Sequence, residues 1–323
     1  MSIVEMPMRI MLKVGPARIW ALEDRLASRP KAVHAVAESP KRFEIVAEAM
    51  RRGYRPPASA RALPHVMASL LGIWRSLRSV EGNPAQPRDH ISEAERLALE
   101  AYAHSVGIDD IGYAPVAPEL VFQNKAILHA NAIVLTMEMD KERIDTSPSE
   151  ASYIEVHATY HHLGRASNQI AGWLQDRGYS AQAGHPLNGL ALYPPLAQQA
   201  GLGWRGLHGL LITPRFGPRV RLAAVFTSIG NLPFSQENEH AWIEEYCRLC
   251  RLCVRACPPQ AILEQPIVHG NGLVTCTDSE RCFPYFVEQY GCSICIRVCP
   301  FQSQEYGRLR SRFSSRADGS GTS

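Results

Sequence analysis

Cysteine is absent from the first 246 residues of this 323-residue chain, whereas all nine cysteines lie between Cys247 and Cys299. So sharp a step in composition predicts a domain boundary near residue 240. Cysteines at short, fixed spacings in a cytosolic protein are metal ligands more often than disulfide partners. The C-terminal part of the chain is therefore expected to bind metal.

A strong charge excess and a long apolar run are also missing. Charged residues make up 20% of the chain and the net charge is +3, with four arginines in the last sixteen residues. This balance argues against a nucleic-acid partner, which would favour a broad basic face. The most apolar stretch, Val66–Trp74, is far shorter than the about 20 residues that cross a bilayer. Residues 1–18 contain neither a secretory signal pattern nor a twin-arginine pair, so we expect a cytoplasmic protein without a membrane partner.

Helices are predicted from apolar periodicity and capping residues. Short amphipathic pieces broken by prolines indicate a helical extension over residues 1–90. Ser92 and Glu95 form a capping box ahead of a helix that Gly107 ends. A long amphipathic helix is predicted over residues 149–178, with an apolar stripe at three- and four-residue steps.

Strands are predicted at Ala132–Met137, Leu210–Thr213 and Arg221–Thr227. The last two are expected to form an antiparallel hairpin around Phe216-Gly217-Pro218. Helices interleaved with strands predict an α+β fold with a layered α/β-type arrangement in the middle of the chain.

The cysteines form two runs with the spacing of iron–sulfur ligands. The first is the bacterial ferredoxin run C-x2-C-x2-C-x3-C-P, made of Cys247, Cys250, Cys253 and Cys257. The second run is shortened, and Cys282 can supply the ligand that it lacks; its local members are Cys292, Cys295 and Cys299. Zinc sites usually use two C-x2-C pairs, so the doubled run favours two 4Fe–4S clusters.

The cysteine before proline ligates the other cluster in two-cluster ferredoxins. This crossing predicts a first set made of Cys247, Cys250, Cys253 and Cys299. The second set is then Cys282, Cys292, Cys295 and Cys257. Cys276 is left over as a spare thiol, with the alternative that it replaces Cys282 as the distal ligand.

Residues 200–222, AGLGWRGLHGLLITPRFGPRVRL, resemble a segment of the cobalamin-dependent reductive dehalogenases. Residues 139–149 and the second cysteine region, residues 281–300, are similar to the same family, so that the resemblance extends over residues 95–302. Epoxyqueuosine reductases, the tRNA-modifying relatives, share the AGLGW start and the cysteine pattern. The aspartate of their D-S-A-P-like element is missing here, where residues 187–190 read LNGL.

The resemblance implies a nitroreductase-like cobalamin-binding domain followed by a ferredoxin-like domain with two clusters. It implies base-off cobalamin without a protein histidine ligand, and the chain has no D-x-H-x-x-G element. The family's catalytic tyrosine falls on Tyr160, its basic partner on Arg221 and its asparagine on Asn188. A guanidinium beside a phenol favours the phenolate, which would make Tyr160 a better proton donor. Without the resemblance, Tyr160 is more typical of a core tyrosine.

Two further features lie close to these residues. Gly201, Gly203 and Gly206 match G-x-G-x-x-G, but they follow a predicted helix rather than a strand and no acidic residue lies about twenty positions on, which disfavours a dinucleotide site. We expect them to allow a tight turn or close approach to cobalamin. His161 and His162 follow Tyr160 but point elsewhere on a helix, and sequence alone assigns them no role.

The sequence thus predicts four segments: a helical extension at 1–90, a cobalamin-binding catalytic domain at 91–240, a two-cluster domain at 241–305 and a disordered tail at 306–323. The expected function is that of an oxidoreductase similar to the reductive dehalogenases. It would reduce a small, halogenated or similar organic substrate through cobalt(I), with electrons from a ferredoxin- or flavodoxin-type donor. The alternatives are an epoxyqueuosine reductase-like enzyme and a non-catalytic two-cluster electron carrier.

Overall fold

The structure, a computed structural model, describes residues 21–29, 32–41, 45–123 and 125–319. Residues 21–27 are helical, and the further helices are α1 Ile45–Arg52, α2 Leu63–Arg78, α3 Glu93–Ser105, α4 Lys141–Asp145, α5 Glu150–Gln175, α6 Tyr193–Gln199, α7 Trp242–Cys250, α8 Leu252–Ala256, α9 Ser279–Glu288, α10 Ile294–Arg297, α11 Pro300–Ser303 and α12 Tyr306–Gly319. The strands are β1 Val33–His34, β2 Asp110–Pro115, β3 Ala126–Ile127, β4 Asn131–Glu138, β5 Ala181–Ala183, β6 Trp204–Arg205, β7 Leu211–Ile212, β8 Val220–Thr227, β9 Ile262–Val268 and β10 Val274–Thr277. None of the helices within these ranges is both long and apolar enough to cross a membrane.

A four-stranded antiparallel sheet with the order β2-β4-β8-β5 forms the centre of the molecule. Successive side chains of β4 alternate between its two faces, as the strand period of two requires. Ile133 and Leu135 pack with α3 and α5 on one face, whereas Ala132 and Val134 pack with α6 on the other. The predicted mixed helix-and-strand fold is confirmed, with helices on both faces of the sheet.

The two best-defined sequence predictions for helices are confirmed. The Ser92 side chain accepts a hydrogen bond from the backbone N–H of Glu95 and closes the capping box at the start of α3. Gly107, at φ 96°, follows the end of α3 in a conformation that favours glycine. Ser149 caps α5, which then runs without a break to Gln175.

The N-terminal segment is helical at residues 21–27, in α1 and in α2. Residues 1–20 of the predicted extension lie outside the described ranges. α2 packs along α5, and β1 pairs with β3, so the segment is joined to the middle of the chain. The domain boundary at residue 90 stays a prediction.

The predicted hairpin between residues 210–213 and 221–227 is wrong, although both strands exist. β7 pairs with β6, whereas β8 lies between β4 and β5 in the central sheet. β6 can reach β7 because Gly203 has no side chain, since a Cβ there would collide with the carbonyl oxygen of Ile212. β8 is mostly buried, which suits an internal strand better than a two-stranded ribbon.

The predicted disordered tail is helical over most of its length, because α12 extends from Tyr306 to Gly319. Trp242 explains this result, since its ring contacts both Tyr306 and Phe313. Leu309, between them, is 3% exposed. The tail is rich in Ser, Gly and Arg, and this composition led to the prediction of disorder despite the three apolar residues Tyr306, Leu309 and Phe313. Residues 320–323 lie outside the described part of the chain.

Candidate redox centre and proton donor

The first predicted cysteine set lines one cavity. Its members are Cys247, Cys250, Cys253 and Cys299. α7 ends at Cys250, and Arg251 then adopts a left-handed conformation, φ 51°. That residue turns the chain between α7 and α8, which carries Cys253. The structure therefore brings together the four residues that the C-P crossing rule assigns to one cluster.

The second predicted set is also brought together. Burial, and then the neighbouring thiols of Cys257 and Cys292, raise the pKa of the Cys282 thiol to about 11. Burial likewise raises the pKa of Cys295 to about 12, with Cys292, Cys253, Cys282 and Cys257 adding to the effect. Cys257 therefore lies with the residues of the second run, although its nearest cysteine in sequence is Cys253 of the first run.

The two sets adjoin each other. Cys253 of the first set is close enough to Cys257 and Cys295 for their charges to be coupled. Leu207 and Ile262 form an apolar cluster with cysteines of both sets. Two redox groups held in these sets would be neighbours in a dry environment, which suits the transfer of an electron from one to the other.

Cys276 is placed with the first set rather than with Cys282. It is buried, its thiol is among the charges that raise the pKa of Cys247, and Arg205 partly offsets the raised pKa of Cys276 itself. Its Cβ and Sγ also lie beside Gly209. These neighbours favour Cys282 over Cys276 as the distal member of the second set.

The chemistry of the donor set fits iron. Burial raises the pKa of the Cys247 thiol to about 12 and that of Cys299 well above its ordinary value. A cation in the cavity reverses this preference, because a coordinated thiol is deprotonated outright. Two groups of four converging thiols, each in a largely apolar setting, match Cys₄ ligation of 4Fe–4S clusters.

His208 is a residue of this centre that sequence reasoning missed. It lines the cavity of the first set, and burial lowers its pKa to about 4. Its Nε2 is buried without a hydrogen-bond partner, whereas its Nδ1 accepts a hydrogen bond from the backbone N–H of Leu210. The sequence signal that could have identified His208 is its position inside the AGLGWRGLHG motif.

Tyr160 and Arg221 come from different elements and meet. Tyr160 lies on α5, and Arg221 lies on β8 opposite Met137 of β4. The Arg221 guanidinium carbon is 4.8 Å from the centroid of the Tyr160 ring, a cation–π contact. The Nε atom of Arg221 is buried without a hydrogen-bond partner, and buried polar groups of this kind are commonly satisfied by a ligand or water.

His157 completes this group one turn before Tyr160. The two rings are 6.2 Å apart. Burial, followed by the charge of Arg221, lowers the pKa of His157 to about 4, so the ring is neutral at pH 7. Its Nδ1 is another buried nitrogen without a partner. Sequence reasoning missed His157, although its three-residue spacing from Tyr160 puts both on one side of the helix.

The neighbouring arginines have structural roles. Arg219 forms a partly buried ion pair with Glu138 and donates a hydrogen bond to Gln302 at 3.2 Å. It thus ties β4 and β8 to α11. Arg215 is exposed and pairs with Asp110 at 3.0 Å. Of the three arginines in the PRFGPRVR stretch, Arg221 alone stacks on Tyr160 in the described structure.

The tyrosine region and the second cysteine set are in contact. Tyr160 and Cys295 pack against the same apolar cluster, which contains Met139, Val156 and Ile296. Hydrogen bonds reinforce this junction, because Ser147, shortly before α5, accepts one from the backbone N–H of Ser293. A redox group on Cys295 would therefore lie close to the phenol.

Asn188, the third predicted catalytic residue, is held by a different set of contacts. It is 8% exposed, and its Nδ2 donates to Glu23 Oε1 at 3.1 Å. Glu23 in turn pairs with Lys125, also buried. Asn188 thus joins a buried polar network between the N-terminal segment and the loop after β5, and its catalytic role stays a prediction.

The glycine motif has an explanation within the protein. Gly201 and Gly203 have φ values of 75° and 154° and follow α6, so the tight turn expected of them is present. Gly206 packs against His208 and Ile212. The close approach at Gly203 is made to the chain's own backbone, and contact of these glycines with cobalamin stays a prediction.

The iron–sulfur pattern matches a known family. Residues 240–263 match the family model described as "4Fe-4S binding domain". This match covers the whole first cysteine run and agrees with the cavity that the run lines.

Two curated relatives extend the comparison. The chain is 33% identical over 216 residues to a tetrachloroethene reductive dehalogenase of Desulfitobacterium hafniense, which covers 62% of this chain and 38% of the relative. It is 29% identical over 141 residues to an epoxyqueuosine reductase of Atelocyanobacterium thalassa, covering 41% of this chain and 44% of the relative. The matched part of the chain thus spans less than half the length of either relative.

A solved structure shares the fold. The catabolic reductive dehalogenase NpRdhA superposes with a TM-score of 0.59 at 22% identity, covering 76% of this chain and 39% of that one. The similarity to reductive dehalogenases that the AGLG and cysteine motifs predicted is confirmed, in sequence by the curated relative and in fold by this structure. The nitroreductase-like subtype stays a prediction.

Proposed function

We propose that the chain is a cobalamin- and iron–sulfur-dependent reductase that replaces a halogen or a similar leaving group on a small organic substrate with hydrogen. The observation that carries the proposal is the packing of Tyr160 and Cys295 against one apolar cluster. It puts a candidate proton donor beside a candidate redox centre. The reductive dehalogenase relatives support the same reaction class.

The two cysteine sets would each hold one 4Fe–4S cluster, and the buried nitrogens of Arg221 and His157 would bind polar groups of cobalamin. When bound, the clusters would supply electrons and cobalamin would supply low-valent cobalt for reduction of the substrate. The residues fit such a ligand, because both nitrogens are buried and without partners and would be satisfied by amide groups at the edge of a corrin.

Exchange of a carbon–halogen bond for a carbon–hydrogen bond takes two electrons and one proton and releases halide. The proton would come from the Tyr160 hydroxyl. The guanidinium of Arg221 over the ring would stabilise the phenolate that remains, since a cation is attracted more strongly to an anionic ring than to a neutral one. Burial lowers the pKa of the neighbouring His157 to about 4. This histidine is therefore neutral at pH 7, and Arg221 is the cation that acts on the phenolate.

The first cysteine set would receive the electrons. Cys250 ends α7 next to Leu249, whose side chain is 70% exposed, whereas Cys295 of the second set faces the Tyr160 region. A ferredoxin- or flavodoxin-type donor would therefore dock near Leu249. The cytoplasmic location stays a prediction from the sequence.

Halide release tests the reaction class. Anaerobic protein loaded with clusters and cobalamin, reduced chemically, would be offered tetrachloroethene and 3-bromo-4-hydroxybenzoate, compounds named with the relatives. We expect halide release from at least one of them that depends on bound cobalamin. Conversion of epoxyqueuosine-modified tRNA without any halide release would contradict the proposal and favour the epoxyqueuosine reductase alternative.

Iron content should be about eight atoms per chain, with matching acid-labile sulfide, as expected for two 4Fe–4S clusters. The physical reason is the presence of two separate groups of four converging cysteines. Metal and sulfide analysis of anaerobic protein provides the measurement. Zinc in place of iron, with no sulfide, would overturn the cluster assignment.

Arg221→Met should lower turnover per bound cobalamin by about 5- to 30-fold, because a partly desolvated cation–π contact contributes about 1–2 kcal/mol. Methionine keeps much of the packing volume and removes the charge. Arg215→Met is the matched control, since Arg215 lies in the same stretch but is exposed and paired with Asp110. Equal losses in both variants would show that Arg221 acts only through general charge.

A further inference from the structure

Three histidines converge outside the redox centre and the Tyr160 site. His65 lies in the first turn of α2, and His161 and His162 lie on α5. One ring nitrogen of each lies within 4.8 Å of the others. The sequence alone assigned no role to His161 and His162. Each residue on a helix is rotated by about 100° from the one before it, so that both histidines point away from Tyr160. His65, on the neighbouring helix, lies within reach of both rings.

The distances match those of a metal site. The Nδ1 atoms of His65 and His161 are 3.4 Å apart. Two nitrogens bound to one tetrahedral zinc ion, each at about 2.0–2.1 Å, are separated by about 3.4 Å. The ring centroids of His161 and His162 are 5.0 Å apart, which leaves room for one ion between their edges. The ligand atoms of all three histidines lie within 4.8 Å of one another, so the side chains must move closer together to coordinate the ion.

The backbone that carries these ligands is fixed. The side chain of Asn168 on α5 donates hydrogen bonds to the carbonyl oxygen of Gly72 and to Ser76 Oγ, both on α2, at 3.2 and 2.9 Å. The ring of His185 fills the space at Gly72 and Gly164, where a side chain on either residue would collide with it. These contacts hold the two helices together about two turns away from His65.

The local charges bear on the binding of a cation. Arg165 opposes a cation near both rings, whereas Glu155 favours positive charge at His162. Arg165 is exposed and its long side chain can move into solvent.

We propose that His65, His161 and His162 bind one divalent transition-metal ion of the zinc class, with water in the fourth position on the exposed side of His162. Imidazole suits zinc among the first-row metals, and three histidines plus water form a recognised zinc coordination. The ion would pin the start of α2 to α5 immediately after Tyr160. The site does not depend on the proposed reductase function.

Zinc counting tests the site without any assay of activity. The anaerobic, cluster-loaded full chain would be dialysed against a fixed micromolar concentration of free zinc, and bound zinc and the thermal midpoint would be measured. We expect one added zinc per chain and a raised midpoint. His65→Gln, His161→Gln and His162→Gln should each weaken zinc binding by at least about 100-fold, since loss of outer contacts alone costs about 10- to 100-fold.

Two control variants make the result decisive. His269→Gln removes an exposed histidine of the β9–β10 region, and Cys276→Ser removes the spare thiol. Both should keep zinc binding unchanged. Zinc binding that persists in all three histidine variants would overturn the proposal. Loss of zinc binding in Cys276→Ser would overturn it as well. Because His65 and His162 are not buried, misfolding of these variants is not expected, and iron content of each preparation checks it.

Discussion

Tyr160→Phe is expected to lower turnover per bound cobalamin by about 10²–10⁴-fold, the usual contribution of a positioned acid. The phenyl ring keeps the packing of Tyr160 against Val156 and Ile296 and keeps its contact with Arg221. Only the hydroxyl group, with its acidic proton, is lost. Cluster content and cobalamin binding should therefore stay at the level of the parent protein, and turnover normalised to cobalamin measures the effect.

A core tyrosine would behave differently. If the Tyr160 hydroxyl were only structural, its removal would cost about 1 kcal/mol of stability and leave turnover intact. Tyr179→Phe is the matched control, because Tyr179 is a fully buried tyrosine whose hydroxyl donates to the carbonyl oxygen of His90 and to Glu95. Similar rates for Tyr160→Phe, Tyr179→Phe and the parent protein, on a substrate that the parent reduces, would end the catalytic assignment.

Cys257→Ala is expected to remove about four of the about eight irons, and to remove them from the second set rather than the first. The reason is its position, since its thiol lies with those of Cys282, Cys292 and Cys295. The sequence neighbour Cys253 belongs to the cavity of the first set. Iron content and the electron paramagnetic resonance spectrum of the reduced protein measure the loss.

Double variants identify which cluster is lost. Cys257→Ala combined with Cys292→Ala should lose no more iron than either single change, because both ligate one cluster, and effects within one unit do not add. Cys257→Ala combined with Cys250→Ala should lose both clusters. The reverse pattern would refute the crossed ligand sets. Cys276→Ser serves as the control and should keep all of the iron.

The features that sequence predicted well are those with a local signature. α5 follows from one uninterrupted apolar stripe after a serine cap, and β4 from a run of strand-forming residues. The cysteine spacing predicts the two sets because the cysteine before each proline turns away from its own run and its thiol joins the other set. Tyr160 and Arg221 required the family resemblance, since nothing in either segment alone indicates that helix and strand meet.

The failures concern contacts between distant segments. The β7–β8 hairpin was wrong because an antiparallel turn around Gly217 is locally reasonable, while pairing of β8 with β4 depends on burial on both faces. The tail was expected to be disordered because three apolar contacts, those of Tyr306, Leu309 and Phe313, do not outweigh its polar composition in a sequence window. His65 lies 96 residues before His161, so no local pattern could join them.

The central claim is that one chain holds cobalamin beside its second iron–sulfur cluster, and cobalamin binding tests it most directly. Anaerobic protein with full iron content would be equilibrated with cobalamin, separated from free cofactor, and assayed for cobalt and for reduction of the bound cofactor by the clusters. We predict about one reducible cobalamin for each chain, as expected of a resident cofactor. Protein that carries both clusters but retains no cobalamin would contradict the account and leave the chain as an electron carrier.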